Sequence, residues 1–150
     1  MAKKAFFLYA ILFSAYPVLF LYSHNNGWLS VNELYLPLAV VVFAAAALLL
    51  LLRLLIRDGD LAAGLTAFWG MWFFSYGHLL SIDSLTQGRL ADIIVRYALW
   101  LWLAIFVLGT PVIIRLRKRL LGARTALFVI AVVLVGITSW GSAGFEWQRV

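Results

Sequence analysis

The stretch "AVVVFAAAALLLLLRLLI", residues 39–56, constrains this chain more than any other feature. It runs for eighteen residues with a single charge, Arg53, near its end. Crossing about 30 Å of hydrocarbon takes roughly 20 consecutive apolar residues in a helix. In hydrocarbon every backbone N–H and C=O must be paired within the segment, so a helix is the expected form. Four more runs of the same kind follow or precede it. The spans are expected at about 5–23, 31–56, 61–81, 94–114 and 125–141. The expectation is therefore an all-α, polytopic integral membrane protein, a bundle of about five transmembrane helices forming a single domain over 1–150.

Composition agrees. Apolar residues are 65% of the 150 positions and charged residues 12%, against roughly 25% charged in a soluble domain. Cysteine is absent, which excludes disulfides, thiolate metal sites and cysteine nucleophiles. The formal charge of +6 does not argue for nucleic acid. A nucleic-acid binder spreads Lys and Arg over a soluble face, whereas here they cluster between apolar runs, as in membrane topology signals.

The clusters set an orientation. With the N-terminus inside, Lys3, Lys4, Arg53, Arg57, Arg115, Arg117, Lys118, Arg119 and Arg124 share one side. These are nine of twelve basic residues, with only Arg89, Arg96 and Arg149 opposite. The positive-inside rule makes the larger set cytoplasmic, and five spans then leave the C-terminus outside. The expected location is a membrane with this larger set on its cytoplasmic face. Lys3 and Lys4 before an apolar run also suit a signal peptide, but the run is too long and no small-x-small cleavage site follows. It reads as a retained helix.

Local chemistry marks the breaks. "SVNE" (30–33) has the form of a capping box, starting the second helix near Val31. "RDGD" (57–60) is expected to end that helix at Gly59, with Asp60 capping the next. Pro17 is expected to kink the first helix, with Ser14 and Tyr16 satisfying what it frees. "SIDSLTQGRLADIIVR" (81–96) suits either an amphipathic surface segment or an irregular loop.

Polar residues in the apolar runs are the only candidate sites. "FFSYGH" (73–78) ends the third span, and its neighbours suggest an outer-face cluster of His24, Glu33, Tyr76, His78 and Asp83. Such a cluster can hold a lipid headgroup or move protons. The plainer reading makes Ser75 and Tyr76 packing contacts between helices, with Gly77 admitting a close backbone and His78 in the headgroup region. Tyr22, Trp28, Tyr35, Trp69, Trp72, Trp100 and Trp140 suit aromatic belts at the two interfaces. Two histidines on different helices lack the spacing and third ligand of a catalytic zinc site. No phosphate loop, dinucleotide fingerprint or nucleophile elbow is present. The residues thus give no catalytic or metal site and no cofactor. The expected partners are membrane lipids and a protein in the same membrane or on its outer face.

Three stretches carry a family resemblance: "YPVLFLYSHNNGWLSVNELYLPL" (16–38), "LLLLRLLIRDGDLAAGLTAFWGMWFFSYGHL" (49–79) and the tail containing "RLRKRL". Together they resemble the N-terminal membrane region of bacterial sulfatase-like hydrolases of the alkaline phosphatase superfamily. The resemblance implies a multi-helix anchor preceding a hydrolase domain outside the membrane. The metal-binding aspartates and nucleophile of that domain have no counterpart here. The resemblance therefore implies a non-catalytic module, an anchor or partner for such a hydrolase. The alternatives are a small structural subunit of a larger membrane complex and a headgroup-binding module built on the "SYGH" end.

Overall fold

The computed structural model describes residues 7–25, 30–80 and 89–146, with side chains described except at 77–80, 89–95 and 141–146. The described residues form a bundle of five helices: α1 (Leu8–Asn25), α2 (Val31–Ile56), α3 (Gly59–Leu80), α4 (Arg89–Arg115) and α5 (Arg117–Glu146). Three contain stretches long and apolar enough to cross a membrane: Val31–Ile56, Arg96–Arg115 and Arg117–Trp140. At 1.5 Å per residue, α2 reaches about 39 Å, more than the hydrocarbon thickness.

Helices α1 and α3 are the interior of the bundle. Helix α3 packs against all four others, and α1 packs against α2, α3 and α5. Leu61, Ala62, Ala63, Leu65 and Thr66 of α3 and Tyr9, Ala10, Phe13, Ser14 and Ala15 of α1 are buried. Two large apolar residues are exposed on each of these helices, against eight on α2, ten on α4 and seven on α5. Shielding by the outer helices is what lets α1 and α3 carry Ser, Thr, Tyr and Trp.

Direction alternates along the chain. Tyr9 and Ala10 meet Ala63 and Ser14 meets Gly70, so α1 and α3 run parallel. Leu52 meets Leu61 and Leu65, so α2 is antiparallel to α3. Trp102 and Phe106 meet Trp72 and Phe68, so α4 is antiparallel to α3 too. Ala131 joins Tyr9 and Phe13 and Leu120 lies beside Gly64, which sets α5 parallel to α1.

The α2–α3 junction differs from the expected one. Arg57, not Gly59, takes the left-handed conformation (φ 58°) that ends α2, and its N–H bonds the Arg53 carbonyl at 3.1 Å. Asp58, not Asp60, caps α3: its carboxylate accepts from Leu61 N at 3.1 Å and its carbonyl from Ala62 N at 3.0 Å. Asp58 also pairs with Arg117 at 3.2 Å, tying this corner to α5. Gly59 is instead the first residue of α3, where a Cβ would lie 2.9 Å from the Phe7 ring. Its missing side chain makes room for Phe7, whose ring also lies 5.3 Å from the Arg53 guanidinium.

Other boundaries shift for local reasons. Helix α2 does begin at Val31, with Ser30 N donating to the Glu33 carboxylate at 2.9 Å. Helix α1 continues through Pro17. Ser14 donates to the Ala10 carbonyl at 2.9 Å, not to the Phe13 carbonyl that Pro17 leaves unpaired. The basic stretch 117–124 is the first two turns of α5 rather than a connection, and Leu116 alone separates α4 from α5. Arg, Lys and Leu are good helix formers, so nothing in that stretch stops a helix. Residues 89–96 likewise open α4, while 81–88 lie outside the described residues.

Candidate functional site

Three members of the expected outer cluster, His24, Glu33 and Tyr76, are held separately. His24 Nδ1 lies 3.1 Å from the Phe20 carbonyl, and its ring stacks on Phe20 with centroids 4.0 Å apart. The Glu33 carboxylate is spent on the start of its own helix. Tyr76 packs edge-on against Trp102, with ring centroids 5.8 Å apart. No hydrogen bond or ion pair among the described residues joins these three. The side chain of His78 and all of Asp83 lie outside the described residues. Among those described, no group of three or more His, Asp or Glu gathers as metal ligands do.

The structure instead builds an aromatic seam between α3 and α4. Trp72 Nε1 donates to the Trp102 carbonyl at 3.2 Å, and Trp102 Nε1 donates back to the Trp72 carbonyl at 3.0 Å. Trp102 Nε1 also reaches Ser75 Oγ at 3.2 Å, while Ser75 donates to the Trp72 carbonyl at 2.6 Å. One helical turn or more away, Trp69 Nε1 donates to Thr110 Oγ1 at 3.2 Å, and the Thr110 hydroxyl donates to the Phe106 carbonyl at 2.9 Å. The rings of Phe68, Trp72, Trp102 and Phe106 stack with centroids about 6 Å apart, within the range where aromatic pairs attract beyond their burial.

Tryptophan expected at the interfaces is therefore split. Trp69 and Trp72 are half-buried in mid-bundle with their N–H groups satisfied by α4. Trp100 and Trp140 face outward, 68% and 83% exposed. Tyr22 is buried and Tyr35 exposed, and Trp28 is outside the described residues. The signal that separates them is pairing chemistry: on α4, Thr110 lies at the depth of Trp69, and Trp102 lies at the depth of Trp72 and Ser75.

Beside the seam lies an apolar crevice of about 490 Å³. Ser14 of α1 and Gly70 of α3 meet at its base. Val40, Val41, Ala44, Ala45 and Leu48 of α2 form one wall, and Trp69, Phe73, Phe74, Trp102 and Phe106 form the other. Helices α2 and α4 flank α3 without close backbone approach to each other, so the crevice opens between them. Its depth is that of the middle of α2. Sequence reading missed it because no single residue announces it. The clue is the run of small residues: Ala10 and Ser14 on α1 facing Ala63, Thr66 and Gly70 on α3.

Basic residues collect at one end of the bundle. Arg53 and Arg57 close α2, and Arg115, Arg117, Lys118 and Arg119 surround the α4–α5 break. Arg124 lies two turns into α5, and Arg96 lies toward the other end of α4. Lys3 and Lys4 are outside the described residues.

Comparison with protein-family models, curated proteins and solved structures finds no match to this chain. The likeness to sulfatase-like hydrolases thus rests on the quoted residues alone. What the fold itself establishes is a helical bundle with three helices suited to spanning a membrane.

Proposed function

We propose that the chain is a five-span integral membrane module of the bacterial cytoplasmic membrane, with its N-terminus cytoplasmic and its C-terminus outside. In this reading it is non-catalytic and serves as anchor or partner for an extracytoplasmic sulfatase-like hydrolase. The observation that carries the membrane part is alternation: five helices reverse direction in turn, and the basic residues gather at one end. That is the pattern of a polytopic protein obeying the positive-inside rule. At about 27 and 33 Å, α1 and α3 also match the hydrocarbon thickness. The hydrolase part draws its support from residues 16–38 and 49–79.

A second reading, a small structural subunit of a larger membrane complex, draws on α4. Its ten large exposed apolar residues include Trp100, Val107 and Leu108. A headgroup site on the outer cluster has less geometric support, because His24 and Glu33 bond to their own helices. Purification in mild detergent with identification of co-eluting proteins separates the first two readings. A hydrolase with a domain outside the membrane is the expected companion, and a large multisubunit complex in its place favours the second. A reporter fused after Val150 is expected to be active only outside. Activity confined to the cytoplasm overturns the orientation and the count of spans.

A further inference from the structure

We propose that the gap between α2 and α4 binds an anionic phospholipid, with an acyl chain in the mid-bundle crevice and the phosphate among Arg57, Arg115 and Arg119. The proposal needs the chain to lie in a membrane. It needs neither the hydrolase partner nor a particular cytoplasmic face.

Three observations select this occupant. The first is that every polar side-chain atom the crevice lining owns is already spent. Ser14 donates to Ala10, Trp69 Nε1 to Thr110, and Trp102 Nε1 to Trp72 and Ser75. A polar ligand finds no directional partner there, whereas a hydrocarbon chain asks for none. The second is size. A methylene occupies close to the ~30 Å³ of a liquid water, so 490 Å³ holds on the order of sixteen. A transmembrane helix, about 10 Å across and 30 Å long, is several times too large.

The third is the placement of charge. From Ala44 at the crevice to Arg57 is about 20 Å along the helix axis. The headgroup layer lies about 20 Å from the bilayer centre. A lipid whose phosphate meets Arg57 therefore has its chain end at the crevice. Between the two runs the stripe Ala44, Leu48, Leu51 and Leu55 on one face of α2, with Leu51 and Leu55 exposed. Ile56 and Ile113 pack on the same cluster around Leu52, Leu61 and Leu65, which brings the basic ends of α2 and α4 together around the mouth. Arg53 is engaged with Phe7 and Arg117 with Asp58. Arg57, Arg115, Lys118 and Arg119 have no acidic partner among the described residues, leaving them for phosphate.

The test is native mass spectrometry of the full chain released from nanodiscs of equal phosphatidylglycerol and phosphatidylcholine. The wild type is expected to retain phosphatidylglycerol preferentially. Arg57→Gln and Arg119→Gln are each expected to reduce that preference about fivefold, the worth of one basic residue near a charged surface. Ala44→Trp, which fills the crevice, is expected to reduce retention of both lipids. Phe43→Trp adds bulk on the lipid-facing side of the same helix and is expected to retain lipid as the wild type does. Should Ala44→Trp fail to fold by circular dichroism, Val40→Trp fills the same space from an exposed position. Equal retention of the two lipids by the wild type, an unchanged preference in both arginine variants, or full retention in a folded crevice-filled variant each overturns the proposal.

Discussion

The α1–α3 and α3–α4 contacts lie at the same depth in the bundle and are built by opposite means. Between α1 and α3 the facing residues are small: Ala10 and Ser14 against Ala63, Thr66 and Gly70. Their hydroxyls bond backwards along their own helices, Ser14 to Ala10 and Thr66 to Ala62, each at 2.9 Å. The Ser14 and Thr66 side chains make no hydrogen bond across that contact, so close backbone approach holds this part of it, as in small-xxx-small packing. Between α3 and α4 the facing residues are large rings, and indole N–H groups cross from helix to helix. The difference teaches where polarity is safe in an apolar bundle. A hydroxyl on a short side chain can satisfy itself locally, whereas an indole is too long and must find the neighbour.

The comparison breaks first at Gly70. A Cβ there collides with the Ser14 hydroxyl and lies 2.9 Å from its Cβ and 3.2 Å from its Cα. The Cα is backbone and cannot rotate away. Gly70→Leu is expected to force α1 off α3 and to cost about 3 kcal/mol or more, the upper end for overpacking. Gly122→Leu, with nothing within 4 Å of its Cβ position, is the matched control and is expected to change stability by less than about 0.5 kcal/mol. Unfolding in graded detergent measures both. Equal, small effects would mean that α1 and α3 are not held by close approach.

The aromatic contact is expected to yield less to a single change. Trp102→Phe keeps a ring in the stack but removes the N–H shared by the Trp72 carbonyl and Ser75. Interhelical hydrogen bonds in membranes measure about 0.6 kcal/mol on average and up to about 1.7, so a loss of about 1–2 kcal/mol is expected. Ser75→Ala in the Trp102→Phe background should then cost less than it does alone, since the bond it serves is gone. Strict additivity of the two changes would show that the N–H to Ser75 contact contributes nothing.

How much of this was legible in the sequence depends on range. Apolar runs and basic clusters act through position along the chain, and they located all five helices. Turn chemistry at "RDGD" is off by two residues at both the end of α2 and the cap of α3. Arg57 takes the left-handed position, while Gly59 makes room for Phe7, a contact between distant segments. "FFSYGH" suggested partners on α1 and α2, but Ser75 and Tyr76 meet Trp102 on α4. An indole facing a serine across two helices leaves no mark in either local sequence. The crevice is less legible still, because it is a space left where α2 and α4 fail to meet.

The finest test of the contrast is Tyr9. It sits at the α1–α3–α5 contact, 1% exposed, among Ala10, Phe13, Ala63 and Ala131. Its ring packs edge-on to Phe13, with centroids 6.3 Å apart. Its hydroxyl is buried and makes no hydrogen bond among the described residues. Unlike Ser14 and Thr66 it is too long to reach its own backbone, and unlike Trp72 it meets no acceptor within hydrogen-bond distance among the described residues. An unpaired buried hydroxyl costs roughly 1–3 kcal/mol, and removing it with its ring kept in place recovers part of that. Tyr9→Phe is therefore expected to stabilise the bundle by about 1 kcal/mol in the same detergent-unfolding assay. That sign is opposite to the one expected for Trp102→Phe. A loss of stability of similar size would mean that the Tyr9 hydroxyl has a partner after all. The α1–α3 contact would then depend on a polar bond as the α3–α4 contact does, and the contrast between them would fail.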